Sequence, residues 1–428
     1  MKSGFSTAGA SESGKSEPPT MSTLWGEFPG RGYPQVIFST AEIELLRLAG
    51  WFKGLPSSLS ERFGSSIFAP AGIGALEALH LLYHSRERRQ YRLTPLGWAF
   101  LAGIGFPYPQ DAKYVSDPAK TRRREQAAKV MFTFHQAGFD VFRDRLEDLN
   151  RPGVFLSTEA MQRSLRRQNT KVWNGLRMCG VGRLGTCGCL VHFTDQRGMY
   201  FVNEMTRFRQ AAAGCSQIIS VYAADRYTDA AWWLLHEPPA GETKHKSDWT
   251  SFCTAAKMVQ MPLHLLECSD AGAVQLLVMG TPDYRERIAR LVLSNAYRPP
   301  PSGLPDTDAT LDGIPLVVAM DMDIKRLQRA CQTAFGAGLS RLSIVAFPEQ
   351  LETLAELFGA TGQVDFYQVE KEQVSDALKL RLHAPGREPF GRKEGGYLDV
   401  SDIPKRKKAG RPSAAALAEK GGSGIGLG

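Results

Sequence analysis

The sequence predicts an α/β protein (α+β when the whole chain is counted) in which helices cover the faces of a mixed sheet. In the last third of the chain, apolar runs of five to seven residues, predicted to be strands, alternate with helical patterns. Examples are AVQLLVM before RERIARLVL and PLVVAMD before IKRLQRACQTAF. Runs that are apolar throughout are typical of strands buried on both faces of a sheet. The N-terminal part differs, because several short helical patterns precede a basic strand there.

The composition is that of a globular protein with reduced cysteines. The 428 residues include 52 Lys and Arg against 44 Asp and Glu, which gives a formal net charge of +8. The longest uncharged apolar stretch, from Leu96 to Pro109, falls short of the roughly 20 residues that a membrane-spanning helix needs. No secretory signal is visible. Seven scattered cysteines favour a cytoplasmic protein with free thiols.

Changes in composition divide the chain into five parts. Stretches rich in Ser, Gly, Pro and charged residues lie at both ends, and a Pro/Tyr-rich stretch interrupts the apolar pattern once. The predicted parts are a disordered leader (1–33), a helical unit with a hairpin (34–106), a linker (107–119), an α/β region (120–384, with a division near 299–308) and a disordered basic tail (385–428).

The segment LEALHLLYHSRERRQYRLTPLG contains a basic β-hairpin after three helices. The first helix follows Ser39, the second is short, and the third is predicted over residues 71–84. Alternation along the next strand places Arg92 on the outward face. Arginines concentrate at this hairpin, where we expect them to contact phosphates of nucleic acid: Arg86, Arg88, Arg89 and Arg92.

This segment resembles the winged helix-turn-helix domains of bacterial transcription regulators. The resemblance rests on a Y-x-L-T-x-x-G pattern formed by Tyr91, Leu93, Thr94 and Gly97. It implies a fold in which the hairpin lies beside a DNA groove. The third helix contains no Lys or Arg, however, which leaves docking or dimerisation as the alternative use of the unit.

The first half of the α/β region is similar in element order to restriction-endonuclease-like nucleases. Helix, strand, hairpin, helix and strand follow one another from Thr121 to Tyr222, with the hairpin turn expected at residues 195–198. Those enzymes hold a divalent metal with two acids and a lysine. Asp195 and Glu204 stand near the matching places, but no lysine follows. The sequence therefore predicts no catalytic residues, with a metal-dependent nicking nuclease as the alternative.

Together, the two parts resemble the plasmid replication–relaxation family. The resemblance implies a DNA-binding protein of a plasmid or integrative mobile element. Such a protein acts in replication initiation or in DNA relaxation and mobilisation, as a non-catalytic initiator or accessory. Double-stranded DNA is the expected partner, together with replication or mobilisation proteins, and no cofactor is predicted. A winged-helix transcription regulator is the other alternative.

The tail PKRKKAGRPSAAALAEK resembles an AT-hook, in which Gly-Arg-Pro lies extended in a narrow minor groove. Ala409 replaces the basic residue often found before the glycine, so a solvated basic tail is the alternative. Either form attracts phosphates and favours association with the nucleoid. The DNA-binding residues predicted here are Lys405, Arg406, Lys407, Lys408, Gly410, Arg411 and Pro412.

Two further groups leave alternatives open. Four soft ligands fall within fourteen residues, namely Cys179, Cys187, Cys189 and His192. They are compatible with zinc, although their spacing lacks paired C-x2-C knuckles, and buried thiols explain them equally well. Asp321 and Asp323 follow an apolar strand, where they either cap the next helix or share a metal, and the cap is favoured.

Overall fold

The computed structural model of the chain describes residues 25–26, 35–36, 38–106, 118–167, 177–193, 204, 208, 215–236 and 261–386. The predicted basic tail residues 405–412 and most of the predicted linker lie outside these ranges. None of the helices in the described ranges is long and apolar enough to cross a membrane.

Three helices and a small antiparallel sheet form the N-terminal unit, with a fourth helix after them. A two-residue ladder, β1 (Trp25–Gly26) with β2 (Gln35–Val36), precedes the unit and falls partly within the predicted leader. The following elements are α1 (Thr40–Trp51), β3 (Leu55–Pro56), α2 (Leu59–Arg62), α3 (Pro70–Ala78), β4 (Leu82–Ser85), β5 (Gln90–Leu93) and α4 (Pro95–Gly103). The strand order is β3-β5-β4.

Local capping explains where α1 and α4 begin. The Ser39 side chain accepts a hydrogen bond from the Glu42 amide, and the Glu42 carboxylate accepts one from the Ser39 amide, so α1 has a complete capping box. Thr94 accepts a hydrogen bond from the Gly97 amide at 3.1 Å, and Pro95 occupies the first position of α4. The start of α1 confirms the prediction that the first helix follows Ser39.

Helix α3 is shorter than predicted and ends at Ala78. His80 adopts a left-handed backbone with φ of 54°. The amide of His80 donates to the Glu77 carbonyl, and the amide of Leu81 donates to the Leu76 carbonyl. This pair of bonds is a Schellman motif, which stops the helix and satisfies its last carbonyls. The residues from Leu82 onward therefore form a strand, and the prediction of a helix to residue 84 is wrong.

Arg92 lies inside the N-terminal unit, which corrects the prediction that it faces solvent. Strand β5 is central, because β3 pairs with one of its edges and β4 with the other. The Arg92 side chain is 7% exposed and donates to the Gln90 side-chain oxygen at 3.0 Å. The period-2 pattern of the strand could not show that the chain around Gly54 covers this face.

A five-stranded mixed sheet forms the first half of the α/β region. Its elements are α5 (Pro118–Gln136), β6 (Phe155–Ser157), α6 (Thr158–Arg167), β7 (Gly180–Leu184), β8 (Cys187–Phe193), β9 (Gln217–Ala224), α7 (Tyr227–Leu235) and β10 (Leu263–Glu267). The strands lie in the order β6-β7-β8-β9-β10. β7 is antiparallel to both neighbours, whereas β8, β9 and β10 are parallel.

The hairpin of this sheet lies earlier in the chain than predicted. β7 and β8 form it around the turn at Gly185, which has φ of 57°. Residues Cys187 to Val191 pair with β7 on one edge and with β9 on the other. No edge of that stretch is left for the expected pairing with residues 199–204, so the predicted pairing does not extend along Cys189 to Val191. The predicted turn and residues 199–203 lie outside the described residues. Glu204 is instead a helical residue.

A four-stranded sheet forms the second half of the α/β region. Its elements and covering helices are α8 (Asp270–Met279), α9 (Tyr284–Leu293), β11 (Ala309–Leu311), β12 (Ile314–Val318), α10 (Ile324–Gly336), β13 (Leu342–Ala346), α11 (Pro348–Phe358), β14 (Val364–Gln368) and α12 (Lys371–Leu378). β11 is antiparallel to β12, and β12, β13 and β14 are parallel. The mixed sheets with covering helices confirm the α/β class.

The run AVQLLVM, expected to be a strand, belongs to helix α8. Ser269 accepts a hydrogen bond from the Gly272 amide and caps the helix. Seven of the ten residues of α8 are buried, so the helix is apolar on nearly all sides. Such a helix has no polar stripe and is easily mistaken for a buried strand.

Buried polar contacts join the parts of the molecule. The Leu265 amide donates to the Met322 carbonyl, which connects β10 to the end of the second sheet. The Tyr227 hydroxyl donates to the Gln275 side chain at 2.7 Å, inside the core. At the C-terminal end of the described chain, the Gly386 carbonyl accepts from the Ala41 amide of α1. The last described segment is thereby held against the N-terminal unit.

A glycine pair tests how α4 packs on the hairpin. A Cβ atom at Gly97 would lie 2.1 Å from the Leu81 carbonyl oxygen, whereas at Gly74 in α3 nothing lies within 4 Å. We expect Gly97→Ala to destabilise the protein by about 3 kcal/mol and Gly74→Ala to stabilise it by up to about 1 kcal/mol. Urea denaturation measures both variants, and equal effects would contradict this packing.

Candidate nucleic-acid interface

The tip of the β4–β5 hairpin presents two arginines to solvent. Arg86 and Arg89 are exposed, and within the described ranges neither has a carboxylate partner, whereas Arg88 is half-buried. Arg89 has a left-handed backbone with φ of 49°. The Ser57 amide donates to the Arg89 carbonyl at 2.8 Å and fixes the turn from the β3 side. The tip is therefore a fixed turn that carries positive charge, as the sequence predicts for these two residues.

Helix α3, beside this hairpin, offers few groups that could read bases. Its exposed residues are small or apolar, namely Pro70, Ala71, Gly74 and Ala78. Glu77, the charged residue of the helix, accepts a hydrogen bond from the His84 amide at 3.0 Å. Bidentate contacts to base edges require amide or guanidinium groups, which α3 lacks. Contact through this unit would thus go to the phosphate backbone.

A second concentration of positive charge lies where the N-terminal unit meets α5 and α6. Lys53 forms an ion pair with Glu159, and Arg124 and Arg163 approach the same carboxylate at 3.6 and 3.8 Å. Burial alone would raise the pKa of Glu159. Lys53 and the two arginines together have the larger effect, so the pKa of Glu159 lies below its ordinary value. Three cations thus lie within 4 Å of this carboxylate. The first turns of α5 add exposed Lys120, Arg122 and Arg123.

The basic tail begins beside the N-terminal unit. The Ser66 hydroxyl donates to the Pro385 carbonyl at 2.7 Å, and the Ala41 amide donates to the Gly386 carbonyl at 3.1 Å. Both contacts place the end of the described chain against α1 and the turn before α3. The predicted DNA-binding residues of the tail, from Lys405 to Pro412, lie outside the described residues and stay a prediction.

The carboxylates expected of a nuclease are not assembled in the described part of the chain. Strands β7 and β8 contain no Asp, Glu or Lys. Glu204 is buried and engaged, because the Arg177 amide and the His192 ring both donate to its carboxylate. Asp195 lies outside the described residues. Glu204 therefore holds a buried histidine in place within the fold.

The cysteines proposed as zinc ligands are not brought together with His192. Cys187 and Cys189 lie on one face of β8, whereas His192 lies on the opposite face and binds Glu204. Burial raises the pKa of the Cys189 thiol to about 12, so this thiol is protonated at neutral pH. A small buried thiol is the better description of Cys189.

Another group of metal-binding side chains does assemble. Among the residues that the structure describes, one set of three or more His, Cys, Asp or Glu has all its ligand atoms within 4.8 Å: Glu44, His135 and His383. Sequence analysis missed this set because its members are far apart in the chain. No local spacing could have revealed them.

Asp321 and Asp323 have different roles. Asp323 accepts a hydrogen bond from the Arg326 amide and caps α10, which confirms the favoured interpretation for this residue. Asp321 is 1% exposed and accepts from the Tyr284 hydroxyl and the Arg285 guanidinium. Asp323 borders a cleft of about 380 Å³ whose arginines are paired with carboxylates of the fold.

The fold and its charged surfaces define an α/β protein with an N-terminal unit of three helices and an arginine-tipped hairpin. No family model matches the chain, and no curated protein or solved structure matches it either. The exposed hairpin tip, the cations around Glu159 and the basic tail are therefore the features from which a function can be inferred.

Proposed function

We propose that this protein binds double-stranded DNA through the hairpin tip and the basic tail, without catalysis. The observation that carries the proposal is the exposure of Arg86 and Arg89 on a fixed turn, with no carboxylate neutralising them within the described ranges. An exposed guanidinium without an internal partner is free to pair with a phosphate. Such contacts position a protein on the duplex.

The chemistry of the interface favours binding that depends little on base sequence. Arginines at the hairpin and lysines in the tail attract the phosphate backbone, while α3 offers no Lys, Arg, Asn or Gln to base edges. Each phosphate contact releases condensed counterions, so affinity falls steeply with salt. A regulator that reads one operator would need base contacts of a kind that α3 lacks.

The resemblance to the plasmid replication–relaxation family extends the proposal. The described elements are helix α5, strand β6, helix α6, the β7–β8 hairpin and strand β9. Helix α6 departs from the expected order of helix, strand, hairpin, helix and strand, so this part of the proposal rests on the resemblance in sequence. In this proposal the protein acts in replication initiation, or in relaxation and mobilisation, of a plasmid or integrative element. The α/β region then contacts replication or mobilisation proteins, and the protein associates with the nucleoid.

Removal of both tip arginines tests the proposal. We expect the double variant Arg86→Ala and Arg89→Ala to bind duplex DNA about tenfold more weakly at moderate salt, to an equal extent on unrelated sequences. The slope of log affinity against log salt should become shallower by about two, since two phosphate contacts are lost. Fluorescence anisotropy on two labelled duplexes measures both quantities.

The matched control is Arg290→Ala together with Arg341→Ala. Both arginines are exposed, and both lie in the second half of the α/β region, where each pairs with a carboxylate. The control removes the same charge, so it separates local contact from net charge. An equal loss of affinity in the two double variants would contradict contact through the hairpin tip.

A further inference from the structure

Three segments that are distant in sequence meet at the base of the N-terminal unit. Glu44 comes from α1, His135 from the last turn of α5, and His383 from the segment after α12. The His383 amide donates to the Gln136 carbonyl at 2.7 Å, which fixes this segment against the end of α5. Glu44 and His135 are 6% and 4% exposed, so most of the cluster is withdrawn from solvent.

The two imidazoles point the same nitrogen at one carboxylate oxygen. Nε2 of His135 lies 3.1 Å from Oε1 of Glu44, and Nε2 of His383 lies 3.8 Å from that oxygen. Both Nε2 atoms are buried, and neither has a hydrogen-bond partner of acceptable geometry. A buried nitrogen without a hydrogen bond is costly and calls for a ligand. The two histidine rings lie 4.6 Å apart between centroids.

The distances fit a tetrahedral metal ion. Bonds of about 2.0–2.1 Å to zinc place neighbouring ligand atoms roughly 3.3 Å apart, and the observed separations of 3.1 and 3.8 Å bracket this value. The other oxygen of Glu44, Oε2, accepts a hydrogen bond from Arg47 at 2.9 Å. Oε1 is therefore the oxygen left for the ion, and Arg47 orients the carboxylate from behind, as outer partners of metal ligands do.

We propose that Glu44, His135 and His383 bind one divalent transition metal ion of the zinc class, through Oε1 and the two Nε2 atoms. Imidazole with carboxylate suits zinc and its neighbours better than magnesium or calcium. Three protein ligands leave a fourth position for water. The ion fastens the C-terminal segment, which leads into the basic tail, to α1 and α5.

Metal titration of the full chain tests the site directly. We expect one Co²⁺ per chain with the visible absorption of a tetrahedral ion, displaced by Zn²⁺, and a rise of several degrees in the unfolding midpoint with Zn²⁺. His383→Ala should weaken Zn²⁺ binding at least tenfold and abolish the rise. Because 40% of the His383 side chain is exposed, this variant is expected to fold.

Two control variants separate this site from other ligands. His236→Ala removes an exposed histidine directly after α7, and Cys187→Ser removes a partly exposed thiol. Both should bind Co²⁺ like the unaltered chain. Thiolate-to-cobalt charge-transfer bands that vanish in Cys187→Ser would overturn the proposal. An unchanged Zn²⁺ affinity in His383→Ala would also overturn the proposal, as would a full chain that takes up no Co²⁺.

Discussion

A chain that ends at Pro404 is expected to bind duplex DNA at least about 100-fold more weakly than the full chain in low salt. The truncation removes five cations within eight residues: Lys405, Arg406, Lys407, Lys408 and Arg411. At about 0.9 counterions per phosphate contact, the slope of log affinity against log salt should become shallower by about four to five. Anisotropy titrations at several salt concentrations measure affinity and slope together.

The matched control keeps the tail but removes its charge. Replacement of the same five residues by Gln should reproduce the truncation, since affinity here depends on charge. The single change Arg411→Lys should retain most of the affinity and lose preference for A·T-rich over G·C-rich duplex, because Arg is favoured in a narrow minor groove. An unchanged affinity after truncation would exclude the tail from the interface.

Asp321→Asn is expected to destabilise the fold by about 2–4 kcal/mol. The Asp321 carboxylate is buried and accepts from Tyr284 and Arg285, so its loss leaves both donors without their anion. The Arg285 side chain is 35% exposed, and water therefore compensates part of the loss. The control Asp306→Asn breaks a surface pair with Arg329 and should cost less than about 1 kcal/mol.

The acid dependence of stability gives a second measurement on Asp321. Burial alone would raise the pKa of this carboxyl. Arg285 and Arg326 have the larger effect and hold the pKa well below its usual range. Because the pKa of Asp321 is lower in the folded than in the unfolded protein, its ionised carboxylate stabilises the fold fully above the unfolded pKa of about 3.9. This stabilisation is lost as the pH falls toward the folded pKa. The difference in unfolding free energy from Asp321→Asn should be constant above pH 5 and shrink below pH 4. A difference that grows in acid would contradict this.

Elements with local signals were predictable from the sequence. Helices α1 and α4 carry their own caps, Ser39 and Thr94, within one turn of the residues that they bond. Strands β12 and β13 are short apolar runs next to amphipathic helices. The exposed positions of Arg86 and Arg89 follow from the polar turn between two strands.

Features that depend on distant neighbours were not predictable. Arg92 is buried because β3, more than thirty residues earlier, pairs with its strand. Helix α8 appeared strand-like because sheets and helices surround it and remove the polar stripe. Glu44, His135 and His383 meet through tertiary packing, so no spacing in the sequence indicates their cluster.

Protection of individual arginines by DNA tests most directly whether the hairpin tip contacts the duplex. Phenylglyoxal modification of the full chain, with and without saturating duplex, is quantified residue by residue by mass spectrometry. We predict that DNA slows modification of Arg86 and Arg89 at least fivefold and leaves exposed Arg290 and Arg341 unchanged. Equal modification rates for Arg86 and Arg89 in the free and DNA-bound protein would contradict the proposed interface.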